Sequence, residues 1–231
     1  MKRRKVGNML GLAVLSVVLE RPMHPYEMAA VLKQRGKEAD MPIKWGSLYT
    51  VVANLEKHGF VEAVESVKDG GRPERTVYGI TDAGREEFED WVRELVGTVE
   101  REPPRFQAGL SMLGVLGPDQ AISLLRQRIG QLGDHVEAQR ATLEQLRPMM
   151  PRLFLVEVEY DLAMTLAEVD WTRAFLAELT SGTLPGIEAW RRFHETGELP
   201  ADLGELVEQP LPGARVAEPP ARGEAPDVTE K

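Results

Sequence analysis

The chain has 231 residues, 42% of them hydrophobic, enough to bury a core and to divide into two small domains. Cysteine is absent, which excludes disulfide staples and thiolate metal sites, and His24, His58, His135 and His194 form no close pair at ligand spacing, so neither metal nor cofactor is expected. The net charge of −9 is uneven: residues 1–80 hold thirteen Lys and Arg against nine Asp and Glu, a balance of +4, leaving −13 for the rest.

A basic front joined to an acidic rear suits a protein that meets a polyanion with one end. Met1-Lys2-Arg3-Arg4-Lys5 and the apolar run Met9 to Leu19 imitate a secretory signal. No small-residue cleavage site follows, and eleven residues are too few to span a bilayer, so the expectation is a buried helix, a cytoplasmic chain and no membrane partner. Pro22 ends that helix. A second fits Pro25 to Gln34, with Met28, Ala29 and Leu32 inward and Gly36 as its stop. A third fits Gly46 to His58, closed by Gly59. Phe60 to Val67 and Thr76 to Ile80 flank a Gly/Pro-rich connection and read as a hairpin. Thr81 caps a fourth helix with a stripe of Phe88, Trp91, Val92 and Leu95. This order predicts a mainly α fold with a small β-hairpin wing, that is, a winged helix-turn-helix domain over 1–97.

Residues 98–104, with a Pro-Pro pair, read as a hinge. An all-α dimerisation and effector domain is expected over 105–208. Between Pro118 and Leu146, the residues Ile122, Leu125, Ile129, Leu132, Val136, Gln139, Leu143 and Leu146 alternate three and four apart, a heptad seam with one polar member. It serves either a coiled coil between two copies or packing against the following helix. Further helices fit Leu153 to Leu179 and Gly186 to Glu195. Residues 209–231, with five prolines, are expected to be disordered.

In a helix-turn-helix, the second helix of the pair turns a polar face to the major groove and locks its other face onto the domain. The third helix has that division: Leu48, Val51, Val52 and Leu55 on one side, Ser47, Thr50, Asn54 and Lys57 on another. Short hydroxyl and amide groups suit base edges and phosphates. Lys44 and Trp45 precede the helix where a phosphate would lie. The hairpin connection and its edge add Lys68, Arg72 and Arg75. A polar stripe is also what a merely solvated face looks like; the cations beside it favour double-stranded DNA as partner. The basic run at residues 2–5 fits an arm on phosphate or a soluble end.

Several segments resemble PadR-type regulators: Met23-His24-Pro25-Tyr26-Glu27-Met28, Gly46-Ser47-Leu48-Tyr49, the Leu55-Glu56-x-x-Gly59 ending, and Thr76 through Arg85. They span residues 8–97 in the family's order, and Phe106 to Arg128 is similar to the helical part of its two-domain members. Thr50 departs from the family, where proline often follows the tyrosine. The resemblance implies a homodimeric repressor on an inverted-repeat operator, released by a small molecule or stress signal, with Tyr49 on the DNA backbone and dimerisation through the C-terminal helices.

For the effector, Tyr160, Met164, Trp171 and Phe175 share one helical side, near Glu157, Asp161 and Glu168, and would suit a flat cationic or phenolic compound. The same stripe would serve as core. No nucleophile, metal cluster or phosphate loop accompanies Glu157, Glu159 and Asp161, so no enzyme is expected. A winged helix used for protein contact is the rival, and it predicts an apolar or acidic third helix.

Overall fold

The computed structural model describes residues 4–37, 45–67, 75–99 and 103–198. Helix α1 (Met9–Val18) begins where the Asn8 side chain accepts the Leu10 amide, one of the donors a helix start leaves unpaired. Leu10, Val14, Leu15, Val17 and Val18 are buried, so this apolar run is the centre of a core. At α2 (Pro25–Gln34) a histidine caps the helix: His24 Nδ1 accepts the Tyr26 amide at 3.1 Å, and Glu27 Oε2 accepts the His24 amide at 3.0 Å. Gly36 takes a left-handed φ of 69° just past its end.

Helix α3 (Trp45–Lys57) buries Leu48, Val51, Val52 and Leu55 against Leu15, Met28 and Leu32. Each such side chain contributes about 1.5–3 kcal/mol over leaving it exposed. Strands β1 (Val61–Val67) and β2 (Arg75–Ile80) pair antiparallel, Val61 opposite Ile80, with a register shift between Ala63 and Glu65. Met23 adds a bridge to Tyr78, exchanging both backbone hydrogen bonds at 3.0 Å.

Thr81 joins this base to α4 (Asp82–Gly97). Its hydroxyl donates to the Gly59 carbonyl at 2.6 Å and accepts the Gly84 amide at 3.0 Å, while its own amide donates to the Phe60 carbonyl at 3.1 Å. Of the stripe read on this helix, Trp91 is buried and Phe88 packs on the core, whereas Val92 and Leu95 are exposed.

The chain divides into two compact units, Met1–Glu102 and Pro103–Lys231. In the second, α5 (Arg105–Ser111) and a short turn at Leu113–Val115 precede α6 (Pro118–Leu146), and α7 (Val156–Ser181) and α8 (Ile187–Thr196) follow. Helix α7 starts three residues later than its sequence pattern predicts, because the extended Pro151 sets up a separate tight turn, Arg152–Phe154. Trp190 Nε1 donates to the Leu116 carbonyl at 2.8 Å, fixing α8 against the segment ahead of α6.

The heptad seam of α6 finds its partner within the chain. Ile122, Leu125, Val136, Gln139 and Leu143 are buried with one copy present, facing α7, while Ile129, Leu132 and Leu146 are half-buried. Arg128 pairs with Glu168, and Gln139 Nε2 donates to Asp161, both across these two helices. The surface α7 turns inward is Val158, Leu162, Thr165, Val169, Thr172, Leu176 and Leu179, itself spaced four and three. Tyr160, Met164 and Trp171 therefore face outward and are exposed, with Phe175 half-buried.

Candidate nucleic-acid interface

With its apolar side locked into the core, α3 leaves Tyr49, Thr50, Asn54 and Lys57 exposed and Ser47 half-buried. Tyr49, 58% exposed, meets the His24 ring edge to face at 6.4 Å between centroids. The start of α2, with Tyr26 exposed, thus lies beside the polar face of α3. This is the geometry a groove-reading helix needs: a rigid apolar mount on one flank and hydrogen-bonding groups without apolar cover on the other. Lys44, Lys68 and Arg72 lie outside the described residues, as do the side chains of Trp45 and Arg75.

The wing is tied to α3 from below. The Tyr78 hydroxyl on β2 is held above its ordinary pKa by burial first, then by the charge of Glu56 on α3 and the hydrogen bond between them. A phenol kept neutral beside a carboxylate donates to it, so the pair fixes the strand against the helix. Sequence reading did not find this link, because Glu56 and Tyr78 are far apart in the chain and only the fold brings them together.

Arg4, part of the basic run that fits a phosphate arm or a soluble end, turns inward onto α4, while Lys5 is exposed. In the second unit, Trp171 stacks on Phe175 at 5.4 Å and meets Phe106 edge to face at 6.1 Å, and the Arg128 guanidinium lies 3.7 Å over the Phe106 ring. Phe106 and Arg128 are brought beside Trp171 only by the fold. Glu159 is occupied by Arg152 at 3.0 Å and Arg147 at 3.8 Å, and Asp161 by Gln139 and His135. Among the described residues, no group of three or more potential ligands is placed to hold a metal ion, and no helix is long and apolar enough to cross a membrane.

The chain is similar in fold to Bacillus subtilis PadR in complex with operator DNA, at 19% identity and a TM-score of 0.60 over 74% of this chain and 99% of that one. The complex of the same protein with p-coumaric acid gives 18% identity and 0.61 over 75% and 99%. The Vibrio cholerae virulence activator AphA gives 18% and 0.56 over 74% and 98%. No curated protein sequence matches the chain. The likeness to these structures is one of fold, a winged helix followed by helices. The description "Transcriptional regulator PadR-like family" matches residues 14–90, which run from α1 through most of α4. The chain thus carries, over residues 14–90, a domain of the transcriptional regulator PadR-like family.

Proposed function

We propose that the chain is a sequence-specific, homodimeric DNA-binding repressor, acting in the cytoplasm on an inverted-repeat operator and released by a small molecule. The observation that carries this reading is the division of α3: four apolar side chains buried, and Tyr49, Thr50, Asn54 and Lys57 open to solvent. In this reading Asn54 and Ser47 read base edges, Tyr49 and Lys57 contact backbone, and Lys44, Trp45, Lys68, Arg72 and Arg75 supply phosphate contacts. The fold neighbour seen on operator DNA supports the class of partner.

A single winged domain offers few base contacts, and pairing two raises avidity by orders of magnitude. Since the α6 seam is engaged by α7, we assign the second copy to the surface that remains: the outer face of α7 with Tyr160 and Met164, and the half-buried Ile129, Leu132 and Leu146 of α6. The effector in this reading is a flat aromatic compound laid on the open side of Trp171. The p-coumaric acid complex of the Bacillus protein supports that chemistry.

The deciding experiment is a salt titration of binding to DNA from upstream of the gene. Affinity should fall steeply from low to physiological salt through counterion release, whereas a protein-contact winged helix would show no such slope. Asn54→Ala should cost about 1–3 kcal/mol on the cognate site and relax selectivity at one base step. A uniform loss over all sequences would remove its base-reading role.

A further inference from the structure

The basic run at the N-terminus has a member whose charge is spent inside the fold. We propose that Arg4 is a positioning residue that latches the second half of α4 onto the winged unit and makes no phosphate contact.

The Arg4 side chain is 2% exposed, although it belongs to a run of four cations. Its guanidinium donates to Glu87 Oε1 at 2.7 Å, to Asp90 Oδ2 at 3.2 Å and to Glu94 Oε2 at 2.5 Å. It also lies over the Trp91 ring, 5.3 Å from the centroid. Residues 87, 90, 91 and 94 share one face of a helix, so the indole and its three carboxylates form a single receptor built by α4 alone. Burial opposes the charge on Arg4, but its hydrogen bonds to Glu87 and Glu94, and then their charges, outweigh it and hold the pKa above the ordinary arginine value. A cation held this way has no free face for DNA.

What the latch holds follows from the rest of α4. Past Trp91 the large apolar side chains Val92, Leu95 and Val96 are exposed. Beside the buried Trp91, Arg4 is therefore a second fastening of the final two turns, and its release should make their local opening easier. Since α4 is the last described helix of the first unit, one side chain near the start of the chain helps to set how firmly the end of that unit is seated.

The latch itself is independent of what the protein binds; the statement about phosphate rests on the DNA-binding reading. The test uses the full chain with Arg4→Gln and, separately, Glu87→Gln with Glu94→Gln, which opens the latch while leaving the arm's charge intact. Hydrogen exchange is followed at the amides of Trp91–Gly97 in the free protein, and the salt slope of DNA binding is measured for Arg4→Gln. Both variants should speed exchange at those amides at least tenfold while α1 to α3 keep their protection, and the Arg4→Gln slope should equal the wild-type slope. Unchanged exchange in either variant overturns the latch. A slope flatter by about 0.9 for each chain, the signature of one lost phosphate contact, overturns the claim that Arg4 stays off the DNA. Should Arg4→Gln fail to fold, the carboxylate variant alone decides the latch. If the wild-type protein binds no duplex DNA, the functional reading falls and the exchange comparison still stands.

Discussion

Gly84 sits where three segments meet, and replacing it should unseat the wing. A β-carbon there would lie 2.0 Å from the Phe60 carbonyl oxygen, 2.8 Å from its carbon and 2.9 Å from Ile80 Cγ1. The first is backbone, so relief requires moving either the strand entry or the start of α4 by more than an ångström. That movement breaks the hydrogen bond from the Thr81 amide to the Phe60 carbonyl, worth about 1 kcal/mol, and loosens the Thr81 cap, worth about as much again. Overpacking adds about 1–3 kcal/mol, while the better helix propensity of alanine returns at most about 1 kcal/mol. Gly84→Ala is thus expected to lose about 2–4 kcal/mol, read as a lower urea midpoint with an unchanged slope. DNA binding should weaken with it, because Phe60 opens the strand that carries the wing. A variant within about 0.5 kcal/mol of wild type would refute the reasoning, since no repositioning of a flexible side chain can accommodate the contact.

The polar member of the α6 seam makes a different prediction. Gln139 gives its amide to Asp161, but its oxygen is buried without a partner among the described residues, so Gln139→Met should leave stability unchanged or raise it, by no more than about 1 kcal/mol, in thermal unfolding. The exposed Glu20–Arg35 pair, at 2.5 and 2.7 Å, lowers the Glu20 pKa through the hydrogen bond from Arg35. Its contribution is therefore present above the ordinary glutamate range and lost as pH falls through the lowered value. Glu20→Gln should cost about 0.2–1 kcal/mol at neutral pH and nothing in strong acid, compared by urea midpoints. Trp171→Ala should abolish release from DNA by aromatic carboxylates while DNA affinity without ligand stays within about twofold; release that persists would end the assignment of that surface.

The first unit was legible because local rules and the fold agree. Pro22, Gly36 and Gly59 stop helices where such residues normally do, Thr81 caps α4, and the apolar positions of α2 and α3 repeat at helical spacing and are buried. The winged helix and the division of α3 into a buried and an exposed face followed from these. Helix α7 was harder because it is apolar on two sides. Its inward line passes through Thr165 and Thr172, which count as polar by type, yet each hydroxyl donates to its own helix, to the carbonyls of Asp161 and Glu168, and so packs as an apolar group. The aromatic line of Tyr160, Met164, Trp171 and Phe175 was the more conspicuous one and lies largely outside. Arg4 was unreadable for a related reason: its partners are more than eighty residues away, and a cation in a basic run announces solvent.

A ring nitrogen holds the first turn of α2 where a hydroxyl or carboxylate more often stands. The lone pair that receives the Tyr26 amide is that of Nδ1, so the cap leaves the ring's hydrogen to Nε2. A serine in the same place would close the turn without presenting a ring. The imidazole does both: it caps α2 and offers Tyr49 of α3 an aromatic neighbour, so one side chain joins the start of one helix to the exposed face of the next.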